Sequence, residues 1–174
     1  MQSVCWPLSL SDVRRSAAKP QRPHLDALII LEREEKVLLA LRAGTGYRDG
    51  WYNLPSGKAV EGEDIITAAV RETREEIGIH LTPSQLQTVH VLHHYTPEHT
   101  HRICWFLRAT EWTGEPVNAE PHKCADLLWA PTAALPANTV PYNAAGIRAY
   151  LADIPFSLHG WPTAPDLHTA EARS

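Results

Sequence analysis

Three glutamates, Glu72, Glu75 and Glu76, stand at i, i+3 and i+4 in a stretch where Ile66, Ala69, Val70, Thr73 and Ile77 recur with helical spacing. At about 100° per residue, the three carboxylates fall within one arc of about 100° beside that inward stripe. Like charges at these spacings repel, so the cluster is unfavourable to an isolated helix. Cations reverse the sign. Hard divalent ions such as Mg²⁺ or Mn²⁺ prefer carboxylate oxygen and share their coordination shell with substrate phosphates. Arg71 lies one turn before Glu75 and can fix the orientation of that carboxylate. A bare acidic run on a helix is usually just a solvated face, so the surroundings must decide between the two readings.

The elements that would position this helix can be read on both sides of it. The amphipathic pattern runs from Asp64 to Ile77, and Gly78 ends it as a C-terminal cap. Upstream, His24 to Glu32 and Lys36 to Arg42 are β-compatible runs separated by Arg33-Glu34-Glu35, which predicts a hairpin. Gly44 to Tyr52 has loop composition, and Asn53 to Gly57 predicts a short strand before a further turn. Downstream, Leu86 to His94 and Arg102 to Thr110 predict strands joined by Tyr95 to His101, with a shorter strand at Leu127 to Ala130. Pro141 opens a second helix that runs to about Leu151. Short strands around two helices predict an α/β sandwich. Residues 1–22 read as a flexible segment, 23–155 as the folded domain and 156–174 as a tail.

Composition limits what the site can act on. The chain has 174 residues, 44% hydrophobic and 21% charged, which suits a single compact core. A net charge of −4 offers no basic field for polymeric nucleic acid or an anionic membrane. An acidic protein acting on phosphates needs a positive component at the site, and bound metal is the usual source. Cys5, Cys104 and Cys124 are widely spaced with no CxxC pair, and no apolar run is long enough to span a bilayer, so a cytoplasmic setting is expected.

Written out, Gly57, five residues, Glu63, seven residues, and then Arg71-Glu72-Thr73-Arg74-Glu75-Glu76-Ile77-Gly78-Ile79 resembles the Nudix box, the signature of a hydrolase family. Thr73 departs from it, because the family prefers a larger aliphatic residue there. The resemblance implies a Nudix α/β/α sandwich with a mixed sheet over roughly residues 24–155. It also implies Mg²⁺, or Mn²⁺, held by Glu72, Glu75 and Glu76, with Glu63 bracing Arg71. Ser56 and Gly57 are candidates for lending a backbone carbonyl. The segment Gly114-Glu115-Pro116 followed by Glu120 is similar to the region where MutT-type members keep an additional metal-binding or base glutamate, which nominates Glu120. Catalytic roles then fall to Glu75, Glu72, Arg71 and Glu120, and the family resemblance leaves room for a homodimer.

Substrate-contacting candidates are Arg42 and Lys58 for phosphate, Ser56 and Gly57 in the loop beside Lys58, Tyr47 for stacking on a base, and His94 and Tyr95 from the connecting hairpin. Core packing is the expected role of Trp51 and Tyr52. The histidines His90, His93, His94, His99 and His101 suggest zinc by their number, but strand alternation scatters them to both faces, and no cysteine sits at ligand spacing. The expected reaction is cleavage of the diphosphate of a nucleoside triphosphate or related derivative, releasing a nucleoside monophosphate. The alternatives are a dinucleoside polyphosphate, for which Tyr95 at sixteen residues past Ile79 speaks, a prenyl-type diphosphate, or a non-cleaving nucleotide sensor.

Overall fold

The computed structural model describes residues 22–96 and 100–161. The strands are β1 (His24–Ile30), β2 (Glu32–Arg33), β3 (Lys36–Arg42), β4 (Tyr52–Asn53), β5 (Ser56–Lys58), β6 (Leu86–Tyr95), β7 (His101–Ala109), β8 (Cys124–Pro131) and β9 (Phe156–His159). The helices are α1 (Ile65–Ile77), between β5 and β6, and α2 (Pro141–Leu151), between β8 and β9. The expected N-terminal segment lies almost wholly outside the described residues, as do His99 and the chain beyond residue 161. Among the described residues, no helix is long and apolar enough to cross a membrane.

The central sheet is mixed, in the order β5-β1-β7-β6-β9, with β1 parallel to β7 and antiparallel to β5. β6 is antiparallel to β7 and parallel to β9. A second sheet forms around β3, which pairs antiparallel with β2, β4 and β8.

The first strand is buried on both faces, which is why it reads as an unbroken apolar run rather than an alternation. Its odd-numbered residues Ala27 and Ile29, with Leu31 just beyond its end, pack with Ala68, Ala69 and Ile77 of α1. Its even-numbered residues Leu28 and Ile30 pack with Phe106 and with Ile147 of α2. Each helix therefore covers one face, and the expected α/β sandwich with a mixed sheet is what forms.

Three elements differ from the sequence expectation. The hairpin does not join β1 to β3, because the chain changes sheets at Leu31 and only Glu32–Arg33 folds back on β3. Glu34 and Glu35 make that turn with φ of 51° and 57°. The strand expected at Asn53 to Gly57 is split by Leu54-Pro55 into β4 and β5, which belong to different sheets. The folded body does not stop near residue 155, since β9 pairs with Val91–His94 of β6. The departure at Thr73 is absorbed: the side chain is fully buried and donates to the Ala69 carbonyl at 2.6 Å, which satisfies the hydroxyl inside the helix.

Candidate functional site

The carboxylate helix is set in place at both ends. Asp64 caps α1 by accepting from the N–H groups of Ile66 (2.9 Å) and Thr67 (3.0 Å), and Gly78 closes it at φ 69°. Arg71 then acts as a clamp. Its Nε and Nη2 donate to the two oxygens of Glu63 at 2.8 and 2.9 Å, and Nη2 also reaches the Lys58 carbonyl at 3.2 Å. Nη1 donates to Glu72 at 2.6 Å and to Glu75 at 3.3 Å. Five N–H groups in a rigid fork allow one side chain to hold three carboxylates, and this company keeps Arg71 firmly cationic.

On the far side of the helix, Glu76 accepts from the Ser56 N–H at 2.7 Å. Burial pushes its carboxyl up to about 8, with the nearby charges of Glu72 and Glu120 adding to the rise. Burial also raises Glu72, against the pull of Arg71. Glu120 reaches the same place from the segment after β7, which is strapped to the end of α1. Val117 and Ala119 donate to the carbonyls of Ile77 and Glu76 at 3.0 and 3.1 Å, using acceptors a helix end leaves open. Lys123 holds the Glu120 carboxylate at 2.7 Å.

Glu72, Glu76 and Glu120 line a cavity of about 230 Å³, together with Arg42, Ser56 and Lys123. They line its wall without closing into a three-ligand cluster among the described residues. Glu75 is 51% exposed and faces an outer groove with Arg71 and Arg74. A second cavity, of about 390 Å³, shares Arg42 and Ser56 with the first and also receives Tyr47, Gly57 and Lys58. Tyr47 is half exposed on a loop that Asp49 ties back through Thr45 and Gly46. Arg42 supports that loop, donating to the Tyr47 carbonyl at 2.8 Å and the Thr45 hydroxyl at 2.9 Å.

Of the expected substrate contacts, Arg42, Tyr47, Ser56, Gly57 and Lys58 therefore gather at one place. His94 and Tyr95 do not line either cavity. His94 stacks on Tyr142 at 4.9 Å and meets His159 Nδ1 at 3.1 Å, while Tyr95 packs on His101 and Trp161. The reason is the parallel pairing of β9 with β6, which covers the end of the hairpin that sequence alone left open. Tyr52 packs in the core as expected, and Trp51 lies under Arg48 at 4.8 Å. Sequence reasoning missed Asp26, Arg102, Tyr142 and Lys123, all of which face one of the two cavities. A charged residue inside the apolar run Leu25–Leu31 was the available signal for Asp26.

The family profile of the NUDIX domain matches residues 22–151. The chain belongs to the Nudix family. It is a MutT-like member: over 92 residues it is 32% identical to the 8-oxo-dGTP diphosphatase of Proteus vulgaris, covering 53% of this chain and 80% of that one. It is 39% identical over 61 residues to the human 8-oxo-dGDP phosphatase NUDT18, covering 35% of this chain and only 19% of the human protein. The fold matches the crystal structure of a MutT Nudix hydrolase from Burkholderia pseudomallei with a TM-score of 0.67 at 25% identity, covering 74% of this chain and 98% of that one.

Nudix hydrolases use divalent cations, and the residues here fit one. The donors are hard carboxylate oxygens, and Glu76 is a half-buried carboxyl with no cation within 4 Å among the described residues. Gly57 leaves the space they need, since a Cβ there would fall 1.8 Å from the Glu72 carboxyl carbon.

Proposed function

We propose that this Nudix chain is a Mg²⁺- or Mn²⁺-dependent pyrophosphohydrolase that cleaves the diphosphate of a nucleoside triphosphate or related derivative and releases a nucleoside monophosphate. Oxidised guanine nucleotides, named in its relatives, are the first candidates. The observation that carries the reading is the junction of an acidic cavity with a larger one across Arg42 and Ser56.

Glu72, Glu76 and Glu120 would hold the metal, with Glu75 at the exposed rim of the same helix. A bound divalent cation supplies charge neutralisation for the diphosphate and makes water acidic enough to attack phosphorus near neutral pH. Arg42 and Lys58 have no carboxylate within 4 Å among the described residues, so their charge is available to phosphate oxygens. Arg71 keeps Glu72 and Glu63 fixed, and Lys123 keeps Glu120 fixed. A glutamate of this set, Glu72 or Glu120, takes the proton from the attacking water. Tyr47 at the cavity mouth offers a ring face to the base. Nothing beyond the substrate is required as a partner, neither nucleic-acid polymer nor membrane; a homodimer is compatible.

The test is a panel of NTPs, dNTPs, 8-oxo-dGTP, dinucleoside polyphosphates and prenyl diphosphates incubated with Mg²⁺, with products resolved by chromatography. The expected result is a nucleoside monophosphate from at least one nucleotide, lost on chelation. Release only from prenyl diphosphates, or none from any member, would overturn the reading.

A further inference from the structure

The hydrolytic residues leave one buried ionic group in the larger cavity unused. Asp26 on β1 and Arg102 on β7 lie on the α2 face of the sheet, and both face that cavity beside Leu28 and Tyr142. The Asp26 carboxylate is 6% exposed and accepts from Arg102 Nε and Nη2 at 2.5 and 2.6 Å. A guanidinium held side-on in this way has its plane fixed and keeps further N–H groups at its far end. Arg102 Nη1 has no hydrogen-bond partner among the described residues, and the side chain retains 22% exposure towards the cavity. The fork is therefore pre-oriented and incompletely used.

Charge decides what it would accept. Arg42 and Lys58, on the same cavity, have no paired carboxylate and suit phosphate. Arg102 is neutralised by Asp26, so it offers fixed donors without a net positive field, which suits a neutral acceptor such as a carbonyl oxygen. We propose that Arg102, positioned by Asp26, is a specificity-determining residue that donates to the 6-oxo group of a purine base and discriminates against 6-amino purines. A carbonyl accepts from the fork; an amino group would set N–H against N–H and leave buried donors unpaired. This rests on the nucleotide-hydrolase reading above and deepens it, because guanine and its 8-oxidised form both carry the 6-oxo group.

The experiment compares dITP with dATP, which differ in the 6-substituent and the proton on the adjoining N1, in the wild type, Arg102→Met, Asp26→Asn and the paired replacement Asp26→Leu/Arg102→Met. The paired variant removes both charges together and avoids leaving one buried alone, which protects the fold. The expected wild-type preference in kcat/KM for dITP is about tenfold or more. It should fall to within about threefold in Arg102→Met and the paired variant, and to an intermediate value in Asp26→Asn, where the fork loses its orientation. Calorimetric Kd values for IMP and AMP supply a readout independent of turnover. If nucleotides are hydrolysed but the ratio is flat in the wild type, or survives both Arg102 variants, the inference falls while the hydrolase reading stands. If no nucleotide is hydrolysed yet IMP binds more tightly than AMP only when Arg102 is present, the recognition role stands and the hydrolase reading falls.

Discussion

Two groups of charged side chains sit within the body of this protein, and they are balanced in opposite ways. Asp26 and Arg102 form a one-to-one pair with two short, parallel hydrogen bonds. Around α1, by contrast, Glu63, Glu72 and Glu75 share Arg71, Glu120 has Lys123, and Glu76 has no ion-pair partner among the described residues. The first group is electrically complete, so what it offers is shape and direction. The second has more carboxylates than cations, and the charges of Glu72 and Glu120 add to the rise that burial imposes on the Glu76 carboxyl. The contrast teaches why the two groups carry different proposals, recognition of a neutral group for the balanced pair and ion binding for the unbalanced carboxylates.

The sharpest way to break the contrast is to remove charge from the surplus side. Glu76→Gln should lower kcat/KM by about 100-fold or more, because an oxygen donor is lost where transition-state charge is stabilised. Its melting temperature without metal should be unchanged or higher, since an amide has no charged form for burial and neighbouring carboxylates to disfavour. A variant that keeps full activity would show that the acidic cavity is not the reaction centre.

Removing one partner from the balanced side should do the reverse. Asp26→Ala leaves Arg102 uncompensated and should cost about 2–3 kcal/mol, lowered from the figure for fully buried pairs because Arg102 opens on the cavity. Thermal unfolding should show it as a loss of about 4–12 °C. Gly57→Ala tests the space between the groups. A Cβ there must displace the Glu72 carboxyl, and activity is expected to fall about tenfold, as for a small misplacement of a positioned group, with little change in melting temperature.

The smallest effect concerns pH. Glu76 is raised well above the ordinary carboxylate value, to about 8, so the metal-free fold gains from its neutral form at low pH and loses that stability as pH rises through about 8. Metal must displace the proton, so Mg²⁺ or Mn²⁺ affinity measured calorimetrically should strengthen from pH 6.5 towards about 8.5. Affinity that is flat across this range would show that Glu76 is not a raised carboxyl at the ion site.

Much of the acidic helix was legible because it is local. The helical spacing of Glu72, Glu75 and Glu76, the cap at Gly78 and the brace between Glu63 and Arg71 all lie within sixteen residues and follow helix geometry alone. The flanking strands were legible as apolar runs, and their pairing was not. The expected hairpin between β1 and β3 failed because hydrophobic pattern cannot say which sheet receives a strand once the chain turns at Leu31. His94 and Tyr95 were misplaced for a related reason, since β9 arrives from more than sixty residues away to cover them.

By itself, the sequence determined an acidic helix of fixed length, its caps, its inward stripe and the signature that assigns the family. Only the tertiary structure decided that Glu75 faces outward while Glu76 turns inward, that Glu120 joins them across forty-four residues, and that Asp26 meets Arg102 across seventy-six. The division has a physical cause. Periodicity and capping are set by neighbours a few bonds away, whereas convergence of distant side chains depends on sheet order and register, which arise from packing the two faces of β1 at once.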